Sequence, residues 1–244
     1  MKVSVTQLIA MGMCRAPLNW NVSAVPAPYR LYYVLGGKAY FRAGDREFML
    51  EPEHFYLFPS TLPFIIRQDP EDRLDHLYYN FMMNKSLFSL EPLVFTKEDH
   101  PMIAPALELM KASAVAFRDS GKDPELLGAV VSALESFLSL VLSIRPPVEL
   151  SDREISSAIE YIETHYGDEL TVADLAAGAY LSEDHFIRRF KRAVGMTPYA
   201  YIRNLRISLA RELRESGLSL TEASATVGFK HPSSYCRALG SQKR

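Results

Sequence analysis

Leu170-Thr171-Val172-Ala173-Asp174-Leu175-Ala176-Ala177, followed after a short gap by Leu181-Ser182-Glu183-Asp184-His185-Phe186-Ile187-Arg188-Arg189-Phe190-Lys191, is a pattern that this chain states twice. The second statement is Leu218-Ser219-Leu220-Thr221-Glu222-Ala223-Ser224, then Val227-Gly228-Phe229, then Pro232-Ser233-Ser234-Tyr235-Cys236-Arg237-Ala238-Leu239. Each copy reads as a short helix, a tight turn and a second helix. Helices this short cannot bury their own apolar stripes, so each pair needs a further packing surface. Residues 198–216, between the copies, supply one.

Local signals in the first copy set the helix ends. Thr171 suits the N-cap position and Asp174 lies at the capping-box spacing after it. Ser182 is placed to cap the next helix, with Glu183 and Asp184 near its positive end. Phe186, Phe190 and Val194 recur every four residues and form one buried stripe, which leaves Asp184, Ile187, Arg188, Lys191 and Arg192 on or near the exposed side. Gly195 suits a left-handed stop, and Pro198 the first turn of the next helix. The result is a helix-turn-helix that presents its second helix.

A helical bundle with merely solvated charge is the bland alternative. Charge placement argues against it. Between Ser182 and Arg214 there are eight Lys or Arg against three Asp or Glu, although the whole chain carries a net charge of −2. A basic surface confined to one segment is the electrostatic footprint of a phosphate-facing domain.

At these residues the chain resembles the AraC/XylS (arabinose-regulator) family of bacterial transcription regulators. Ala158 to Tyr166 is similar to the family's opening helix, and Leu170 to Leu175 to the first helix of the motif. Leu181-Ser182, Phe186, Arg188, Phe190-Lys191, Gly195, Thr197-Pro198 and Tyr201 are similar to the recognition helix and its exit. Arg206-Ile207 and Ala210 match the connecting helix, and Val227-Gly228-Phe229 the second unit. The resemblance implies two helix-turn-helix units on one connecting helix, reading successive major-groove segments of double-stranded DNA. It places base-reading positions at Asp184, Ile187 and Arg188 in the first unit and Ser233, Ser234 and Arg237 in the second. Arginine suits this role because a guanidinium pairs bidentately with guanine O6 and N7; serine discriminates poorly and Ile187 can only meet a thymine methyl. Asp184 also fits a plain helix-start charge. Lys191, Arg192 and Arg203 fit phosphate contacts and solvated charges equally.

The second copy departs from the family pattern. Ala223-Ser224 stands where Ile-Ala is usual, Leu239 where an aromatic is usual, and Gly240 is poor for helix propagation. The first unit is therefore expected to carry most of the specificity, and the second to be the copy more prone to disorder.

Upstream, Pro146-Pro147 followed by Val148-Glu149-Leu150-Ser151 reads as a linker. The 244 residues and 48% hydrophobic content suit two ordinary domains. No eighteen-residue apolar run is evident, so no membrane span is expected. The first residues do not read as a secretory signal. Cys14 and Cys236 form no metal-ligand spacing, and a reducing cytoplasm fits. Between residues 29 and 83, aromatic and β-branched runs alternate with Gly, Pro and Asp turns about every ten residues, the spacing of a barrel or sandwich. The Tyr-x-Leu strand ending at Gly36-Gly37, the Gly44-x-Arg46-Glu47-Phe48 hairpin, Leu57-Phe58-Pro59 and a closing strand through Phe81 resemble the cupin-like sensing domain of the sugar-responsive members of the same family. Residues 103–145 read as two helices around Asp119 to Pro124. The second bears Leu127, Val130, Val131, Leu134, Phe137, Leu138, Val141 and Leu142 at helical spacing; it packs on the barrel and, as the resemblance implies, makes a dimer contact.

None of the six histidines is paired at the spacing a metal cupin needs, and neither a nucleophile elbow nor a phosphate-cradling glycine loop is present. No cofactor, metal or catalytic residue is expected. Along Asp75 to Phe81, alternation puts His76, Tyr78 and Asn80 on one face and Leu77, Tyr79 and Phe81 on the other. The polar-aromatic face suits a small polar ligand. Alternatively it faces solvent while the other fills the core. The resemblance implies a hydrogen-bonding role for His76 and a stacking role for Tyr78. Gly36 stands where relatives carry a ligand-binding arginine; Arg30 either substitutes for it or is exposed.

The sequence thus predicts a two-domain protein, an all-β cupin-like barrel followed by helices and then an all-α tandem helix-turn-helix domain. The barrel is assigned to residues 1–100, a helical dimerisation segment to 101–145, the linker to 146–151 and the DNA-binding domain to 152–244. The expected function is ligand-responsive transcription regulation by a cytoplasmic homodimer. Its expected partners are double-stranded DNA, a small effector such as a sugar, and RNA polymerase. A cupin-type carbohydrate-binding protein or enzyme with an appended helical domain is the alternative.

Overall fold

In the computed structural model, residues 3–24, 28–60, 63–87, 91–121, 123–146 and 152–241 are described. Among the described residues nine strands come first: β1 (Val5–Arg15), β2 (Asn21–Ala24), β3 (Tyr29–Gly36), β4 (Ala39–Ala43), β5 (Arg46–Met49), β6 (Phe55–Phe58), β7 (Phe64–Gln68), β8 (Asp75–Met83) and β9 (Leu93–Phe95). They form two antiparallel sheets, ordered β1-β8-β3-β6-β9 and β2-β7-β4-β5. Eight α-helices follow: α1 (Ile103–Asp119), α2 (Pro124–Ile144), α3 (Arg153–His165), α4 (Val172–Gly178), α5 (Glu183–Val194), α6 (Pro198–Glu215), α7 (Leu220–Thr226) and α8 (Pro232–Ser241).

The strand expected to close the barrel, β8, lies inside the larger sheet, between β1 and β3. Sequence reasoning missed β1, whose Val-Thr-Gln-Leu-Ile-Ala-Met-Gly-Met run lacks the aromatic signature of its neighbours. Gly12 of β1 pairs with Tyr78, and a Cβ there would stand 3.0 Å from the tyrosine ring. The glycine lets the ring lie across the strand.

Both faces of the larger sheet are covered. Tyr29, Leu31 and Tyr33 of β3 and Leu77, Tyr79 and Phe81 of β8 share a core with Leu107 and Met110 of α1 and Leu134, Phe137 and Val141 of α2. Tyr32, Val34, Phe41, Phe58, Phe64 and Ile66 fill the space between the two sheets. Strand alternation sends odd and even residues of β3 to these two cores. The expected apolar stripe of α2 is buried from Val130 to Leu142, whereas Leu127 is 37% exposed. By length and composition α2 also qualifies for a membrane span, which the sequence reading did not anticipate. In the fold, its buried face belongs to the barrel's core. Asp123 caps α2 by accepting from the Glu125 amide at 2.9 Å. The end of α2 is pinned by Arg145, which pairs with Asp99 at 2.8 Å. Of the expected linker, residues 147–151 lie outside the described residues.

The helices of the last third share one core: Ile159 and Ile162 of α3, Leu175 and Ala176 of α4, Phe186 and Phe190 of α5, Tyr201 and Leu205 of α6, with Ala223, Val227 and Tyr235 of the second unit. Ile9 of β1 and Met82 of β8 belong to the same cluster, so this core runs on into the barrel.

Candidate functional site: an exposed helix pair and a cavity between domains

The ends of the helix-turn-helix elements follow their sequence signals, with two differences. The Thr171 hydroxyl accepts from the Asp174 amide at 3.1 Å, and Gly195 takes the left-handed conformation at φ 83°. Pro198 opens α6 behind Thr197, whose hydroxyl accepts from the Ala200 amide at 3.3 Å. Ser182 occupies the N-cap position of α5 with extended backbone, but its hydroxyl makes no capping bond. Glu183 and Asp184 remain as acidic groups in that first turn, favourable against the helix dipole. The second difference is Gly240, which lies within α8 rather than ending it.

The second unit is folded from its thinned core. Ser219 and Glu222 form a full capping box at the start of α7. The Ser224 hydroxyl, buried where an aliphatic residue was expected, donates to the Leu220 carbonyl at 2.7 Å, so no polar group is stranded. Tyr235 is buried and meets Phe229 edge-on, with ring centroids 5.7 Å apart. Leu239 packs partly buried against this core.

Arg206 ties the two units together. From the middle of α6 its guanidinium donates to the Tyr166 carbonyl at 2.7 Å, the Asp168 carbonyl at 2.6 Å and the Gly228 carbonyl at 3.2 Å. Gly228 sits at φ 84°, and a Cβ there would stand 2.5 Å from the Gly167 carbonyl oxygen. Two glycines therefore allow backbone-to-backbone contact between the turn before α4 and the turn after α7.

On α5, Asp184, Arg188, Lys191 and Arg192 are exposed, and Ile187 is half-buried. On α8, Ser233 and Arg237 are exposed and Ser234 is half-buried; Arg237 lies 3.4 Å from the Ser234 hydroxyl. Arg189 is set apart from this group by its pairing with Asp152 at 2.7 Å and Glu154 at 2.9 Å, which anchors α5 to the start of α3. Arg203, half-buried on α6, has an Nε without a hydrogen-bond partner.

The barrel candidates converge on one cavity of about 690 Å³. Arg30, His76, Tyr78 and Asn80 all line it, together with Trp20 and Tyr32. The face of β8 that carries His76 and Asn80 is thus neither solvent-facing nor packed solid. Arg30 is 3% exposed and His76 likewise 3%. The His76 ring contacts Tyr32 edge-on at 4.9 Å between centroids and Trp20 at 5.5 Å. Burial pushes its imidazole down to about 4, so the ring is neutral near pH 7.

Sequence reasoning missed the far wall. It is built by the helix-turn-helix domain, from Arg211, Glu212, Glu215 and Ser216 at the end of α6. Glu212 forms an ion pair with the buried Arg30 and accepts from Asn80 Nδ2 at 2.8 Å. Burial opposes the charge on Arg30, and Glu212 more than restores it. A second carboxylate of this domain, Glu163 of α3, is fully buried. It accepts from Tyr29 at 2.8 Å, Ser86 at 2.6 Å and Tyr201 at 2.9 Å, and also from the Ser60 hydroxyl. Burial raises its carboxyl pKa, and the four hydroxyl donors pull in the other direction. Nothing in the sequence marked Glu163, since a helical Glu reads as surface.

A tandem helix-turn-helix domain is docked on a double-sheet barrel, and the known proteins that match this chain are described as transcriptional regulators. A helix-turn-helix domain family matches residues 175–242. The HTH-type transcriptional regulator YbfI of Bacillus subtilis is 25% identical over 225 residues, covering 85% of this chain and 80% of YbfI. A protein of Streptomyces antibioticus described as AraC-like is 36% identical over 81 residues, covering 33% of this chain and 27% of that protein. Among solved structures, ToxT from Vibrio cholerae O395 superposes with a TM-score of 0.59 at 13% identity over 95% of this chain and 92% of ToxT, which establishes the shared fold. The chain thus carries a helix-turn-helix domain at residues 175–242 and is similar along most of its length to proteins described as transcriptional regulators.

Proposed function

We propose that this protein is a ligand-responsive regulator that binds specific double-stranded DNA through α5 and α8 and senses a small polar molecule, a sugar by the chemistry of its cavity, between barrel and α6. The observation that carries the reading is that the cavity's two walls belong to different domains, so whatever fills it touches the sensor and the connecting helix of the DNA-binding domain at once. Arg188 and Arg237 are the direct readers of guanine, with Asp184, Ile187, Ser233 and Ser234 beside them; Lys191 and Arg192 hold phosphates. Trp20, Tyr32 and Tyr78 offer flat apolar faces for a sugar ring, and His76, Asn80 and Arg30 offer polar partners for its hydroxyls.

A ligand that binds one arrangement of the domains better than another shifts the population of DNA-competent molecules. The protein acts as a cytoplasmic homodimer through the outer side of α1 and α2, where Leu109 is 57% exposed, and engages RNA polymerase at its promoters rather than catalysing a reaction. A second reading has its own support. Arg30 is a buried cation in the cavity wall, and ToxT has been solved bound to (E)-4-(8-methylnaphthalen-1-yl)but-3-enoic acid, so an organic acid is the alternative effector.

The test is selection of the full chain on a random duplex library, followed by footprinting of the enriched site at several salt concentrations. Enrichment of one sequence with a steep salt slope is expected. Absence of any enriched sequence overturns the reading.

A further inference from the structure

We propose that the DNA-binding domain contributes the polar end of the effector site itself. Glu212 and Glu215 of α6, with Asn80 of β8, bind a neutral or cationic ligand rich in hydroxyl or amino donors, such as a sugar or an amino sugar. The proposal rests on the reading of the cavity as an effector site and names the ligand class and the residues that select it.

Acceptors outnumber donors at one end of the cavity. Among the described residues, five buried side-chain atoms have no hydrogen-bond partner, and three of them belong to cavity-lining residues: Arg30 Nε, His76 Nδ1 and Asn80 Oδ1. Asn80 gives its amide hydrogen to Glu212, which leaves its oxygen as an acceptor. Each oxygen of Glu212 takes one bond, from Arg30 and from Asn80, and each keeps a second lone pair. Glu215, one turn on, lines the same wall. Burial raises its carboxyl pKa, and Glu212 beside it raises it further. Against these acceptors stands one unpartnered atom that can only donate, Arg30 Nε; Nδ1 of the neutral His76 ring donates or accepts according to its tautomer. A buried polar group without a partner is costly, so the ligand that gains most there brings several donors and few negative charges. An organic acid meets two carboxylates already in place, and Arg30 is engaged by one of them.

The arrangement also couples binding to docking. A ligand held by Asn80 on one side and by Glu212 and Glu215 on the other is bound fully only while α6 rests on the barrel. The ligand therefore stabilises the docked form, by the ordinary rule that a ligand favours the state to which it binds more tightly.

Trp20 lines the cavity and is the only tryptophan in the chain, so intrinsic fluorescence of the full-length protein reports occupancy. The probes are D-glucose, D-galactose, D-xylose and D-glucosamine, set against octanoate and benzoate. They are titrated into the wild type, Glu215→Gln and Glu212→Gln; both substitutions keep side-chain size, and Glu212→Gln keeps an acceptor for Arg30. At least one sugar or amino sugar is expected to change Trp20 emission, with affinity about tenfold weaker in each variant. A sugar that binds equally well to wild type and both variants overturns the role of α6 and leaves the cavity reading intact. Binding of the acids but not the sugars overturns the ligand class. No response to any probe overturns the reading of the cavity as an effector site, and this proposal with it.

Discussion

Tyr29 and Arg30 are consecutive residues of β3 that point to opposite faces of the sheet, and each holds a different carboxylate of the DNA-binding domain: Tyr29 donates to Glu163 of α3 at 2.8 Å, and Arg30 pairs with Glu212 of α6. One strand thus grips two helices. The Glu163 end is a dry, fully buried cluster of hydroxyls, whereas the Glu212 end borders the cavity. The first is suited to permanence and the second to exchange with a ligand.

Glu163→Ala is accordingly expected to destabilise the whole chain by about 3 kcal/mol or more, because it leaves several buried hydroxyls without an acceptor at about 1–3 kcal/mol each. Glu163→Gln, which keeps an acceptor oxygen, is expected to cost less than half as much. Urea denaturation of the two variants checks the order; equal costs would show that the cluster depends on charge rather than on acceptance.

Neutral His76 makes stability pH-dependent. Its folded pKa of about 4 lies below the ordinary value of 6.5, so the unfolded chain takes up the proton first as pH falls. The contribution is fully present above pH 6.5 and is lost as pH falls towards 4, on the order of 3 kcal/mol in total. The difference between wild type and His76→Gln in denaturation midpoints from pH 7.5 to 4 isolates this effect from the background of carboxylates. A constant difference across that range would contradict it.

Gly228 and Gly195 both have φ near +84°, at 84° and 83°, yet they predict different outcomes. At Gly195 a Cβ meets open space, so Gly195→Ala should cost only the backbone strain, about 1 kcal/mol. At Gly228 a Cβ would stand 2.5 Å from the Gly167 carbonyl oxygen, so Gly228→Ala must also push the two units apart. Its melting temperature should fall well below that of Gly195→Ala, and its affinity for the selected DNA site should drop with it.

Arg188→Ala is expected to lose about 1–3 kcal/mol of binding and to relax preference at one base position. Lys191→Ala should weaken binding to all sequences evenly and reduce the salt slope by about one. Intact specificity in the first variant would remove Arg188 from base reading.

The DNA-binding half was legible because its signals are local. Thr171, Gly195 and Pro198 each act within a turn of the helix they start or stop, and the Phe186 and Phe190 period shows the buried face directly. Six of the nine strands were legible for the same reason. β1 was not, because its pairing partner β8 lies about seventy residues away and its own composition is undistinguished. The side-chain alternation on β8 was read correctly, and Arg30, His76, Tyr78 and Asn80 do meet at one cavity. The roles of Glu163 and Glu212 were invisible. A buried carboxylate on an amphipathic helix has the same sequence pattern as a solvated one, and only the docking of a second domain distinguishes them.

The 18 residues of α6 form a rod about 27 Å long. Arg206, near its middle, fastens the two helix-turn-helix units, and its last turns form a wall of the barrel's cavity. On the function proposed above, the border between sensing and reading falls inside a single helix. Chimeras that graft this sensor onto another regulator's DNA-binding half by cutting near residue 150 would leave Arg30 and Asn80 facing a foreign helix. A functional transplant has to carry the end of α6 along with the barrel it serves.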